Sequence, residues 1–119
     1  MLTTQEVSRL LDIANAGINK GEITAARKVY EGILAGRPEH APALISLALS
    51  HIVVGEYEEA ETILRTRVLE KNPQDPDAKV YLGLCAYLSG RKDEAAEILK
   101  TIPEDASAHQ LAASLLAEI

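Results

Sequence analysis

The sequence predicts an all-α fold of stacked antiparallel helix pairs, and three observations predict it. The first is the apolar palette. The 119 residues include no Phe, no Trp and four Tyr, so a core must be built from Leu, Ile, Val and Ala, which favours helices over a sandwich. The second is the stretch 41–54, APALISLALSHIVV, apolar except at Ser46, Ser50 and His51, with Pro42 in its first turn and Gly55 after its end. Leu44, Leu47 and Ala48 form one stripe at helical spacing; Ile45, Leu49 and Ile52 form a second, rotated by roughly 120°. Two stripes require cover on two sides. The segment is too short for a membrane span, which takes ~20 apolar residues. The third is a period. Gly21, Gly55 and Gly90 stand 34 and 35 residues apart, as do Ala26, Ala60 and Ala95, and again Tyr30, Leu64 and Leu99; Pro38 and Pro73 are 35 apart. A fixed spacing of this length denotes stacked two-helix units.

Each element has its own signals. Thr3 with Glu6 is a capping box that opens a helix to about Asn19. That helix carries Leu10, Ile13 and Ala14 in one stripe and Leu11 and Ile18 in another, and Lys20-Gly21 ends it. A second helix over about 22–35 turns Ile23, Ala26, Val29, Tyr30 and Ile33 inward and is closed by Gly36 and Pro38. The helix at 41–54 follows. After Gly55 a fourth buries Tyr57, Ala60, Ile63, Leu64 and Val68, with its glutamates mostly outward, and stops at Asn72-Pro73. Asp75 caps and Pro76 starts the fifth, which ends near Ser89-Gly90. A sixth spans 91–101 until Pro103. Asp105 is expected to cap a seventh, 106 to about 118. The second unit holds one extra residue, between Leu64 and Pro73, near Arg65-Thr66-Arg67. Short turns imply antiparallel neighbours.

The net charge of −6, with no basic block, argues against a nucleic-acid partner. A lone cysteine, Cys85, excludes an internal disulfide and suggests a reducing compartment. The start, MLTTQEVSRLLDI, has no basic-then-apolar leader pattern, so the expected location is cytoplasmic, without membrane insertion.

The landmarks resemble the tetratricopeptide repeat (TPR) family over residues 7 to about 109. In the second unit the W-x2-L-G-x2-Y slots hold Leu44, Leu47, Ala48 and His51, the A-x3-F slots hold Ala60 and Leu64, and the closing Pro slot holds Pro73 one residue late. In the third, Leu82-Gly83 and Ala95 with Leu99 match, while Lys79 takes the Trp slot and Pro103 comes early. The resemblance implies a single TPR domain over 1–119, a right-handed α-solenoid with repeats at about 7–40, 41–75 and 76–109 and a capping helix at about 106–118. It implies a binding scaffold, not an enzyme.

The resemblance also implies that the first helix of each pair lines the concave side. There a stripe recurs in register: Leu11, Asn15 and Ile18; Ile45, Leu49 and Ile52; Val80, Leu84 and Tyr87. It reads either as core between units or as an apolar groove for a partner's amphipathic helix. A clamp for a C-terminal carboxylate would need cations on this face. Instead Ser8, Ser46, Asp77 and Tyr81 stand there, with Asn15 the lone match. His40, His51 and His109 lack metal-ligand spacing, so neither a metal nor a cofactor is expected. His51 reads as a packed structural side chain, and Cys85, inside LGLCAYL, as a buried thiol. Glu56, Glu58, Glu59 and Glu61 read as a solvated helix start, with an acidic docking patch as the alternative. No phosphate loop or nucleophile motif is present. The last helix, with Leu111, Leu115 and Ile119 beside Ala112 and Leu116, reads as a cap, or as a docking surface for a second subunit. In size and architecture the chain resembles the small TPR chaperones of bacterial type III secretion, which implies holding an aggregation-prone secretion subunit by an amphipathic helix. The alternative is a generic TPR scaffold or adaptor joining folded proteins.

Overall fold

The computed structural model describes residues 2–119, and among these it contains seven helices. They are α1 (Thr4–Asn19), α2 (Ile23–Gly36), α3 (Ala41–Val53), α4 (Tyr57–Thr62), α5 (Pro76–Leu88), α6 (Lys92–Leu99) and α7 (His109–Glu118). α4 continues as a π-helical stretch, Ile63–Leu69. Two of the three expected caps form. Thr3 Oγ1 accepts from the Glu6 N–H at 3.1 Å, and Glu6 Oε1 accepts from the Thr3 N–H at 2.9 Å. Asp75 Oδ1 accepts from the Ala78 N–H at 3.0 Å.

The turns inside the pairs are copies of one another. Gly21, Gly55 and Gly90 have φ of +80°, +82° and +85°, a left-handed conformation that a Cβ would strain. The residue after each glycine, Glu22, Glu56 and Arg91, donates its N–H at 2.8 Å to the carbonyl of Gly17, His51 and Ala86, five residues back. Each reversal is therefore closed by the same bond in the same frame.

The extra residue of the second unit is taken up inside the helix. The Glu70 N–H donates to the Arg65 carbonyl at 3.1 Å, an i to i−5 bond, so a wider turn absorbs the insertion at the predicted place. Ala60, Leu64 and Val68 all remain buried along that helix.

α1, α3 and α5 pack side by side as one row, which α7 extends. α2 lies against α1 and α3, the α4–π helix against α3 and α5, and α6 against α5 and α7, while the backbones of these second helices stay apart from one another. This is an all-α solenoid of antiparallel pairs. The repeated small residues Ala26, Ala60 and Ala95 are at most 2% exposed, and the large ones four positions on, Tyr30, Leu64 and Leu99, at most 1%. Gly83 marks a close approach: a Cβ there would lie 2.6 Å from Leu99 Cδ2 and 2.8 Å from Leu99 Cγ. A small second core of Val80, Leu99, Ile102, Ala108 and Ala112 forms where α7 closes over the third pair.

Two expectations about local structure are corrected. The last helix starts at His109, not Ala106, and Asp105 caps nothing among the described residues. Ile102 and Ala108 are both buried, so the segment between them spans the surface as turns before the helix can begin. Ile13 does not share the cover of its stripe with Leu10 and Ala14 but is 69% exposed. Its counterparts, Leu47 and Leu82, are covered because a preceding pair lies against them; α1 opens the array, so nothing among the described residues covers that side.

Candidate functional site

The stripe expected to face a partner divides in the structure. Leu11, Ile18, Ile45, Ile52 and Val80 are buried, 2–8% exposed. Four of these belong to the main core; Val80 is covered by the small core under α7. Asn15, Leu49, Leu84 and Tyr87 are only partly buried. Of the nine, Asn15, Ile45 and Leu49 meet in one cleft, together with Ala41, Pro42, Ser46, Asp75, Asp77 and Tyr81.

That cleft fixes which face of the inner row is open. Asn15 comes from α1, Pro42, Ser46 and Leu49 from α3, and Asp77 and Tyr81 from α5. Continued at helical spacing, the face consists of Ser8, Asp12, Asn15 and Asn19; Pro42, Ser46, Leu49 and Val53; Asp77, Tyr81, Leu84 and Leu88. All except Ser46 are partly or fully exposed. The middle column, Asn15, Leu49 and Leu84, is the one the sequence indicated. The flanking columns lie one residue further along each helix than the apolar stripe, because the apolar neighbours are what the pairs bury against each other.

The cleft holds about 260 Å³. That is below the roughly 300–1,000 Å³ of small-molecule pockets and suits one or two anchoring side chains. Its polar groups are positioned. The buried Tyr30 hydroxyl donates to Asn15 Oδ1 at 2.5 Å, leaving the Asn15 amide NH2 to donate elsewhere. Asp75 is occupied as the α5 cap. Asp77 has no cation within 4 Å among the described residues, and burial, then the neighbouring Asp75, push its carboxyl above the usual range. Burial, then Asp77, likewise push the Tyr81 phenol up. A larger hollow of about 370 Å³, lined by Glu58, Glu59, Thr62 and Ile63, is a surface of one helix only and gathers no converging groups.

The acidic residues at the start of α4 are more than a solvated helix end. Glu56 accepts from Arg27 Nη2 at 2.9 Å, and His51 Nδ1 lies 2.8 Å from Glu56 and 3.1 Å from Arg27. Arg27 Nε also donates to Ser50 Oγ at 3.0 Å. His51, Glu56 and Glu59 could in principle offer ligand atoms to one cation. The guanidinium already between His51 and Glu56 supplies the positive charge, so this is an ion-pair joint between the first and second pairs. The second and third pairs are joined by Glu61 and Arg91, with Arg91 also donating to Glu94 at 2.6 Å and Arg65 to Glu94 at 3.1 Å. Arg27 and Glu61 each follow the repeated Ala; Glu56 and Arg91 each follow the repeated Gly. The two joints are thus one joint with its charges reversed. Aligning the repeats would have revealed this pairing from sequence. Cys85 is fully buried, and burial, then Glu61, push its thiol up to about 11, far from a reactive thiolate.

Two tetratricopeptide repeat models match the sequence, over residues 45–110 and 18–67. The chain belongs to the tetratricopeptide repeat family. No curated protein matches it in sequence. This TPR chain is similar in fold to the type III secretion translocator chaperone SycD of Yersinia enterocolitica, with a TM-score of 0.77 and 15% identity over 99% of this chain and 83% of that one. A structure of SycD in complex with a peptide of the translocator YopD superposes with a TM-score of 0.76 at 15% identity, covering 97% of this chain and 90% of that one. A structure of MamA matches with a TM-score of 0.60 at 23% identity over 98% of this chain and 70% of that one. No helix among the described residues is long and apolar enough to cross a membrane.

Proposed function

We propose that this chain is a cytoplasmic TPR chaperone that holds an amphipathic segment of an aggregation-prone secretion subunit on the open face of α1, α3 and α5. The observation that carries the reading is the cleft at Asn15, Leu49 and Tyr81, where three helices converge on a space of anchor size. Its support is the likeness of fold to SycD over nearly the whole chain, since one SycD structure holds a translocator peptide. The reading is of a binding protein, not an enzyme: the ionisable groups in the cleft hold no nucleophile–base pair, and Cys85 is shut in the core. The partner's apolar stripe would seat on Leu49 and Leu84, and the polar groups at Asn15 and Tyr81 would fix its register.

The test is co-expression with candidate secretion subunits from the same genome. The partner should be soluble and co-purify with the wild-type chain, and should be lost or aggregate with Leu49→Asp, because it would have to bury an unpaired carboxylate. A Leu49→Asp protein that folds and still holds its partner in full would overturn the assignment to this face.

A further inference from the structure

The open face carries charge of one sign. Its ionisable carboxylates are Asp12 and Asp77, and no Lys or Arg falls in its twelve positions. Neither aspartate makes an ion pair among the described residues, whereas Glu56, Glu61 and Glu94 on the other side of the solenoid are all matched to arginines. Asp77 is the one within the cleft, alongside the aliphatic walls of Ile45 and Leu49 and the ring of Tyr81. Lys79, on the same helix, is turned inward, 9% exposed and donating to Gln74 Oε1 at 2.6 Å, so it does not serve Asp77. Asp77 is exposed at the edge of the cleft, and its carboxyl stands above the usual range, first through burial and then through Asp75; a cation arriving with the ligand would lower it.

Resting on the proposed binding function, we infer that the partner segment recognised here is basic as well as apolar: an aliphatic side chain fills the space between Ile45, Leu49 and Tyr81, and a lysine or arginine beside it pairs with Asp77. Tyr81 contributes its ring to the cation's stem and its hydroxyl to the backbone. Acidic amphipathic segments are rejected, since they would place like charges together in a half-closed site.

The probe is a displayed library of random twelve-residue peptides selected on the full-length chain, with the best peptide synthesised and its affinity measured by fluorescence anisotropy. Selected peptides should carry Lys or Arg at a fixed spacing from Leu, Ile or Val. Asp77→Asn, which keeps the side chain's shape, should weaken the best peptide by about threefold to tenfold and flatten its salt dependence. Asp77→Lys should prefer the peptide with its cation changed to Glu. Peptides that are lost with Leu49→Asp yet show no basic preference and ignore Asp77→Asn would overturn this inference while leaving the cleft as a binding site. Peptides unaffected by Leu49→Asp, or none selected, would count against the site as well. A concentration-dependent dimer dissociated by Asp77→Asn would make a second copy of the chain the occupant and overturn the inference too.

Discussion

Gly83→Ala tests the packing argument most sharply, because two effects of known sign oppose each other at one atom. In a helix interior the change gains about 1 kcal/mol of intrinsic propensity. Here the new Cβ would stand 2.6 Å from Leu99 Cδ2 and 2.8 Å from Leu99 Cγ. Carbon atoms rest at about 3.5–4.0 Å, so one side must yield by about 1 Å. Leu99 has no free side to move to: it is 1% exposed and enclosed by Val80, Ile102, Ala108 and Ala112. Overpacking of this kind costs about 1–3 kcal/mol. The net loss is about 0–2 kcal/mol, or a fall in melting temperature of up to about 8 °C for a chain of this length. Gly32→Ala is the matched control, mid-helix in α2 with nothing within 4 Å of its Cβ position. It should raise the melting temperature, having the propensity gain without the clash. Circular dichroism melts of both variants decide the matter. Leu99→Ala should also cost less in the Gly83→Ala background than alone, because the cavity admits the methyl. A Gly83→Ala protein that melts as high as Gly32→Ala would refute the close approach of α5 and α6.

The other predictions concern the open face, the joints and alkaline pH. Leu49→Asp should leave the melting temperature nearly unchanged, since Leu49 is not packed on the core, whereas Leu84→Asp should lower it clearly, since Leu84 is; equal losses would mean that the face is closed. Arg91→Glu should destabilise by opposing Glu61, and Glu61→Arg in the same chain should restore much of the loss, an effect that fades in high salt; a thermal double-mutant cycle without coupling would show that the joint contributes nothing. Cys85 is raised from 9.0 to about 11 and Tyr30 from 10.0 to about 12, both first of all by burial. Both are acids held neutral in the fold, so their stabilisation is complete below the unfolded values and is lost as pH rises through the folded ones. Urea midpoints should therefore begin to fall above about pH 9, and Cys85→Ala should delay the onset; a midpoint flat to pH 11 would contradict this burial.

Much of the architecture was legible because its landmarks are backbone demands. A left-handed turn requires Gly21, Gly55 and Gly90, and close helix approach requires Ala60 and Gly83, so spacing alone places them. The extra residue near Thr66 could be located in the same way, though spacing does not say that it becomes a π turn. The last helix was misplaced because Asp105 before Ala106 looks like a cap, while the buried Ile102 and Ala108 decide where the chain can turn inward. The site was half legible. Asn15, Leu49 and Leu84 stand in register, but the flanking columns of the stripe are apolar, and apolarity marks what neighbouring pairs cover. Exposure belongs instead to Asp12 and Tyr81, and to Asn19, Val53 and Leu88, one position on, while Ser46 stays buried. The joints were illegible as long as each glutamate was read within its own helix, since Glu56 and Glu61 find their arginines 29 and 30 residues away.

The reversed joints give the array an order. The first pair presents Arg27 to the unit that follows and the second presents Glu61; the second receives with Glu56 and the third with Arg91. A second unit stacked on a copy of itself would set Glu61 against Glu56, and a first unit followed directly by the third would set Arg27 against Arg91. Duplication or loss of the middle unit, the commonest accidents in a gene made of repeats, therefore meets like charges at the new boundary. The third unit has Ala96 at the presenting position and addresses no successor. Exchange of whole units between two molecules is not barred, since it preserves the sequence of charges. The charges thus set the middle unit's place within a chain, though a duplicated first unit would set Arg27 against Glu22 and meet no such barrier, and they leave open which chain supplies each part.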